Sequence, residues 1–153
     1  MFFFSLAHFL LVIRMKGDEN MKRIIFASHG EFSSGLKNSI SMIVGDLANT
    51  IETYSLYPGE IANDYRDYLK EEIQKNSKDV YHIFCDIKGG SVHTALSQLC
   101  VFENVFVYSG TNMNLVLDTL LSDDMPSDMI HNARNGITMM TKKDLASSQD
   151  EEF

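Results

Sequence analysis

A chain of 153 residues, 44% hydrophobic and 22% charged, is long enough to bury a core and falls in the single-domain range. Its 13 basic and 21 acidic residues leave a net charge of −8, and no Lys/Arg cluster supplies the basic stripe that a phosphate backbone requires, so nucleic acid is not an expected partner. The two cysteines, Cys85 and Cys100, match no metal-ligand spacing and are too few for a disulfide framework; they read as core thiols of a cytoplasmic protein with no bound metal and no cofactor.

Residues 1–20 differ from the rest. FFFSLAHFLLVI is apolar but too short to span ~30 Å of hydrocarbon, and it has neither a basic region before it nor a small-residue cleavage site. Lys16–Asp18 can be encoded by a stretch resembling a bacterial ribosome-binding site just before Met21. The expectation is therefore that translation starts at Met21, with 1–20 a misassigned start or otherwise a disordered or packing extension. A domain over 21–144 and a polar tail over 145–153 complete the expected layout.

From Lys22 onward strand and helix patterns alternate. RIIFAS is an apolar run of strand length, and SGLKNSISMIVGDL then sets Leu36, Ile40, Ile43, Val44 and Leu47 on one helical face. TIETYSL reads as a second strand closed by the Pro58-Gly59 turn, after which Ile61, Tyr65, Tyr68, Leu69 and Ile73 recur at helical spacing. VYHIFCD is the third strand, Ser91 to Cys100 the third helix, NVFVYSG the fourth strand and NMNLVLDTLL the fourth helix. Pro126 opens a last helix with Met129, Ile130 and Ala133 inward; ITMM offers an extra edge strand, and the polar tail from Lys142 is expected to fray.

Successive βα units require right-handed crossovers, so the expected fold is a small doubly wound α/β domain: a four-stranded parallel sheet, order 2-1-3-4, with helices on both faces. Ligands bind such sheets at the carboxyl ends of the strands, where the strand order reverses. That point lies between strands one and three, which end in His29 and Asp86.

DIKGGSVHTA joins a carboxylate to a double glycine and a serine at a helix start. Gly89 and Gly90 permit close backbone approach, Ser91 opens the helix, and the N-terminal N–H groups favour an anion. The turn after His29, with Gly30, Ser33, Ser34 and Gly35, offers the same, so two anion-friendly helix starts are expected beside one histidine. A carboxylate on Nδ1–H of His29 would leave the Nε2 lone pair as a nucleophile, which suggests a phosphoryl group carried on His29. On residue type alone Asp86 also reads as a loop aspartate. Lys88 and His93 read as surface residues, His82 and His131 as structural ones.

FASHG, DIKGGS and SGTNMNL, in this order and at these separations, resemble the motifs of mannose-type IIA domains of the bacterial phosphoenolpyruvate-dependent sugar phosphotransferase system, over roughly Met21 to Asp144. The resemblance implies that His29 is phosphorylated by phospho-HPr and passes the group to a IIB domain that phosphorylates the incoming sugar. Asp86 would orient His29 and Ser91 would help bind the phosphoryl group, beside Gly30, Gly89 and Gly90, which the anion-friendly turns already suggest as its backbone cradle. It also implies a homodimer in which a C-terminal strand, here ITMM, reaches the neighbouring subunit, with the membrane involved only through the transporter subunits. The family's Gly-Gly-Ser-Pro-x-Asn is replaced here by Gly89-Gly90-Ser91-Val92-His93-Thr94. The phosphoryl-donor subunit of dihydroxyacetone kinase favours serine where Gly30 stands and lacks GGS. IIA-like regulatory modules sit in longer chains with ATPase or helix-turn-helix segments. No P-loop, G-x-G-x-x-G or G-x-S-x-G is present.

Overall fold

The computed structural model describes residues 20–145; the readings of the leader and of the tail beyond 145 lie outside the described residues. The chain divides into two compact units, the first ending at Thr111 and the second beginning at Asn112.

The first unit runs β1 (Lys22–His29), α1 (Phe32–Val44), a 3-10 turn (Gly45–Thr50), β2 (Ile51–Leu56), α2 (Ala62–Lys75), β3 (Val80–Cys85), α3 (Ser91–Leu96), a second 3-10 turn (Ser97–Val101) and β4 (Val105–Ser109). The strands form one parallel sheet in the order β2-β1-β3-β4, as expected. β1 is central and Ile24 to Ser28 are buried without a break, the pattern of a strand covered on both faces. Ile25, Ala27, Ile83 and Cys85 point to the face covered by α2 and α3, where Leu69, Ile73, Val92 and Leu96 meet them. The alternate residues point the other way. There Phe26 meets Phe84 edge to face at 5.9 Å, and Ser28 accepts from the Ser33 N–H of α1 at 2.7 Å. Helices therefore cover both faces, and β1 and β3 send their following chains to opposite sides.

Several inward assignments are corrected. Ile61 is 61% exposed because it caps α2 with an extended backbone and stands outside the helical period. Tyr68 and Ile130 sit one residue from the buried Leu69 and Met129, about 100° around their helices, and form the rim of a narrower stripe. α1 ends at Gly45, where φ is +60°, so Leu47 lies in the 3-10 turn, and both it and Ile43 are exposed. Cys85 is buried, which pushes its thiol up to about 12, but Cys100 is exposed and is no core thiol.

The second unit holds α4 (Met113–Leu121) and α5 (Pro126–Asn135), joined by Asn132 Nδ2 donating to Asp118 at 3.0 Å. Residues 137–140 form no strand in the single chain, which closes no ladder for them; Ile137, Met139 and Met140 are 73%, 84% and 74% exposed. Residues 142–145, expected to fray, form a helical turn instead, capped by Asp144 accepting from the Thr141 N–H and hydroxyl.

Candidate active site

The break in β1 after His29 is local chemistry. Gly30 adopts φ +53°, a left-handed conformation that lets the chain leave the sheet at once, and its N–H closes onto Leu56 O of β2 at 2.9 Å. His29 is thereby held at the carboxyl edge of the sheet with its side chain 44% exposed.

β3 ends one residue before Asp86, and β3 pairs with β1, so the two side chains meet. Asp86 Oδ2 accepts from the His29 backbone N–H at 2.9 Å and from Nδ1 at 2.8 Å, while Oδ1 accepts from the Ile87 N–H at 2.9 Å. Partial burial pushes the Asp86 carboxyl upward, but its hydrogen bonds to His29 and Ile87 outweigh this and hold it below the ordinary carboxylate range. An ionised carboxylate only accepts, so Nδ1 carries the proton and Nε2 keeps its lone pair. Nε2 lies 3.0 Å from Ser91 Oγ, the first residue of α3, whose hydroxyl must then donate to it.

The glycine loop closes the site from one side. Gly89 has φ +79°. Gly90 has an ordinary backbone, but a Cβ there would stand 2.9 Å from Ile87 Cγ2 and 3.0 Å from Cε1 of His29. Gly90 is glycine because the loop lies against the imidazole ring.

His29, Asp86, Gly90 and Ser91 are thus brought together, with Gly89 next in the loop. At the second expected anion-friendly helix start, part of the donor set is already engaged within the fold. The Gly30 N–H is engaged with Leu56, the Ser33 N–H with the buried Ser28, and the Ser33 hydroxyl with Tyr54 O and Ser55. The Glu31 carboxylate, at the N-cap position, accepts from the Tyr57 and Ser34 hydroxyls, which lower it from its usual range, and caps no backbone N–H. Gly30 shapes the backbone, and its own N–H is already taken by Leu56 O.

Beyond the expected residues, Thr111 closes the end of β3 by donating its hydroxyl to Cys85 O at 2.7 Å, beside Asp86. His93 is half-buried and not a free surface residue: its Nδ1 accepts from the Gly89 N–H at 3.2 Å. The signal for His93 is its place as third helical residue, from which a side chain reaches back over the cap. Lys88 is exposed, and so is His131. A groove of about 380 Å³ opens beside Ser91, between Ile61–Asn63 at the start of α2 and Thr94–Ala95 of α3. Phe32, Tyr57 and Ile87 add exposed apolar surface on the segments flanking the carboxyl ends of β1, β2 and β3. Among the described residues no cluster of three or more His, Cys, Asp or Glu could hold a metal ion, and no helix is long and apolar enough to cross a membrane.

Comparison with known proteins places the fold and the family. No curated protein matches the chain. Among solved structures, component EIIA of the phosphotransferase system from Streptococcus agalactiae is 26% identical with a TM-score of 0.68, covering 78% of this chain and 97% of its own. A protein from Klebsiella pneumoniae described as a phosphoenolpyruvate-dependent sugar phosphotransferase system permease is 27% identical with a TM-score of 0.73, covering 83% and 97%. The mannose/sorbose-specific IIA subunit from Enterococcus faecalis, 17% identical with a TM-score of 0.68 over 79% and 96%, shares the fold. The family model EIIA-man, PTS system fructose IIA component, matches residues 23–133, and the chain belongs to this fructose/mannose-type IIA family of the phosphotransferase system.

Proposed function

We propose that the protein is a cytoplasmic phosphocarrier that takes a phosphoryl group from phospho-HPr onto His29 Nε2 and passes it to a IIB domain. The observation that carries this reading is the clamp on one imidazole: Asp86 on Nδ1 at 2.8 Å and Ser91 on Nε2 at 3.0 Å. The Nε2 lone pair attacks phosphorus, the donor's bond to phosphorus breaks, and the donor atom keeps the electron pair. The ring gains positive charge as the N–P bond forms, and the Asp86 carboxylate, already on Nδ1–H, offsets it without moving. The Ser91 hydroxyl gives up Nε2 and turns to a phosphoryl oxygen. Transfer to the IIB domain reverses these steps. The apolar lip around Phe32, Tyr57, Ile61 and Ile87 supports docking of these partner proteins over His29.

Incubation with phosphoenolpyruvate, enzyme I and HPr, read by intact mass, is expected to add one acid-labile phosphate that His29→Ala abolishes. A gain that persists in His29→Ala overturns the assignment. The family membership and the apolar 137–140 segment also support a homodimer in which this segment pairs with the neighbouring subunit. Sedimentation of wild type against Met139→Lys tests that arrangement, and a monomeric wild type rejects it.

A further inference from the structure

A double glycine is the freest kind of backbone, yet this loop must hold Gly90 against the His29 ring and Ser91 Oγ within 3.0 Å of Nε2. The chain has no proline at position 92 to stiffen the helix start; Val92 is the second helical residue and fully buried. Side chains from the first turn of α3 reach back instead. His93 Nδ1 accepts from the Gly89 N–H at 3.2 Å, and Thr94 donates its hydroxyl to Gly89 O at 3.3 Å and its N–H to Gly90 O at 2.8 Å. Both polar groups of the Gly89 backbone are therefore fixed by neighbours on one helical turn.

We infer that His93 is a positioning residue of the proposed phosphoryl-transfer site, its Nδ1 holding the Gly89 amide so that the glycine loop stays seated on the imidazole of His29. The inference rests on the phosphocarrier reading for its consequence, but not for its geometry. It requires His93 as the tautomer protonated on Nε2, because only an unprotonated Nδ1 can accept the Gly89 N–H. The arrangement is a variant of the capping box, in which a third-position side chain satisfies a backbone donor just before the helix.

The test uses the full chain with two substitutions. His93→Leu keeps bulk and removes the acceptor; His93→Asn places Oδ1 where Nδ1 stood. Val92 and Leu96, both fully buried, anchor α3 in either variant. His93→Leu is expected to slow phosphate acceptance about tenfold, the rate equivalent of roughly one hydrogen bond, with His93→Asn within about twofold of wild type. Independently, ¹⁵N NMR of the unphosphorylated protein is expected to show about tenfold faster Gly89 amide exchange and shifted His29 ring nitrogens in His93→Leu, both restored in His93→Asn. Unchanged exchange and His29 resonances in His93→Leu, or equal impairment of both variants, overturn the inference. If wild type accepts no phosphate, the phosphocarrier reading fails, and the NMR comparison alone decides the role of His93.

Discussion

Asp86 Oδ2 accepts two hydrogen bonds from His29, one from its backbone N–H at 2.9 Å and one from Nδ1 at 2.8 Å. The first fixes the height of the histidine at the end of β1, the second the tautomer and tilt of its ring. A single oxygen thus ties the last residue of one strand to the loop leaving the next.

Asp86→Asn separates charge from shape. The amide can turn its NH₂ toward Nδ1, which makes Nδ1 the acceptor and protonates Nε2, the wrong tautomer for a nucleophile. Phosphate acceptance is expected to fall by about 10²-fold or more, as with other carboxylates that orient a reacting histidine. The fold persists, because Asp86 belongs to the rim and not to the packed core. The stability effect also has a defined pH window. The folded carboxyl lies below its unfolded value, so its contribution is present above the ordinary aspartate value of about 3.9 and is lost as pH falls through the lower folded value. Urea unfolding of wild type and Asp86→Asn at pH 6 and pH 3 checks this: the gap between them narrows at the acid end.

The two loop glycines fail in different ways. Gly89 has open space where a Cβ would go but φ +79°, so Gly89→Ala is expected to cost about 1–2 kcal/mol of stability through backbone strain. Gly90 has an unstrained φ of −66°, but its Cβ would press on Ile87 Cγ2 and on His29 Cε1. Gly90→Ala is therefore expected to change stability by less than about 1 kcal/mol and to slow phosphate acceptance by roughly tenfold or more. Thermal melts beside a phosphorylation time course separate the two, and a Gly90→Ala protein that transfers at the wild-type rate removes the close approach from the mechanism.

The opposite edge of the sheet is structural. Asp79 accepts from the Met21 N–H at 3.1 Å and from Arg23 Nε at 2.8 Å, and its residue is only 8% exposed. Asp79→Ala strands these donors, but the Arg23 side chain is 32% exposed and water compensates in part. A loss of about 1–3 kcal/mol is expected. Phosphate acceptance by the folded protein stays unchanged, since His29 stands at the far end of β1, about 20 Å away at the rise of a strand. Denaturant melts and initial rates measured on the same preparation decide both halves.

How far the site could be read in advance depended on which physical signal carried each residue. Strand order follows from alternating strand and helix patterns, because crossover connections leave few topologies. That order places His29 and Asp86 side by side before any side chain is seen. The helix faces were less legible: the helical period assumes a regular helix, and Ile61 in a cap and Leu47 in a 3-10 turn do not obey it. Two donors around Gly30 are illegible for another reason. Residue type shows that a turn has N–H groups but not that Leu56 O and Ser28 Oγ already occupy them. His93 was hidden in the same way, since its task is set by one backbone N–H four residues earlier.

His82 gives the last prediction. It lies inside β3 with its residue 6% exposed, its ring stacked against those of Phe106 and Tyr108 at 5.3 and 5.9 Å, and its Nδ1 pairs with the Tyr108 hydroxyl at 2.9 Å. Burial, helped by the charge of Lys22, pushes it down to about 4. The unfolded chain titrates near the ordinary histidine value of about 6.5 and so binds the extra proton first. The stabilisation is complete above that value and drains away as pH falls toward 4, by at most a few kcal/mol. His82→Phe keeps an aromatic ring in the stack and removes the titrating group. Its free energy of unfolding is expected to vary less between pH 7 and pH 4.5 than that of wild type, whatever its absolute stability. Parallel slopes for the two proteins across that range would show that His82 is not the group responsible.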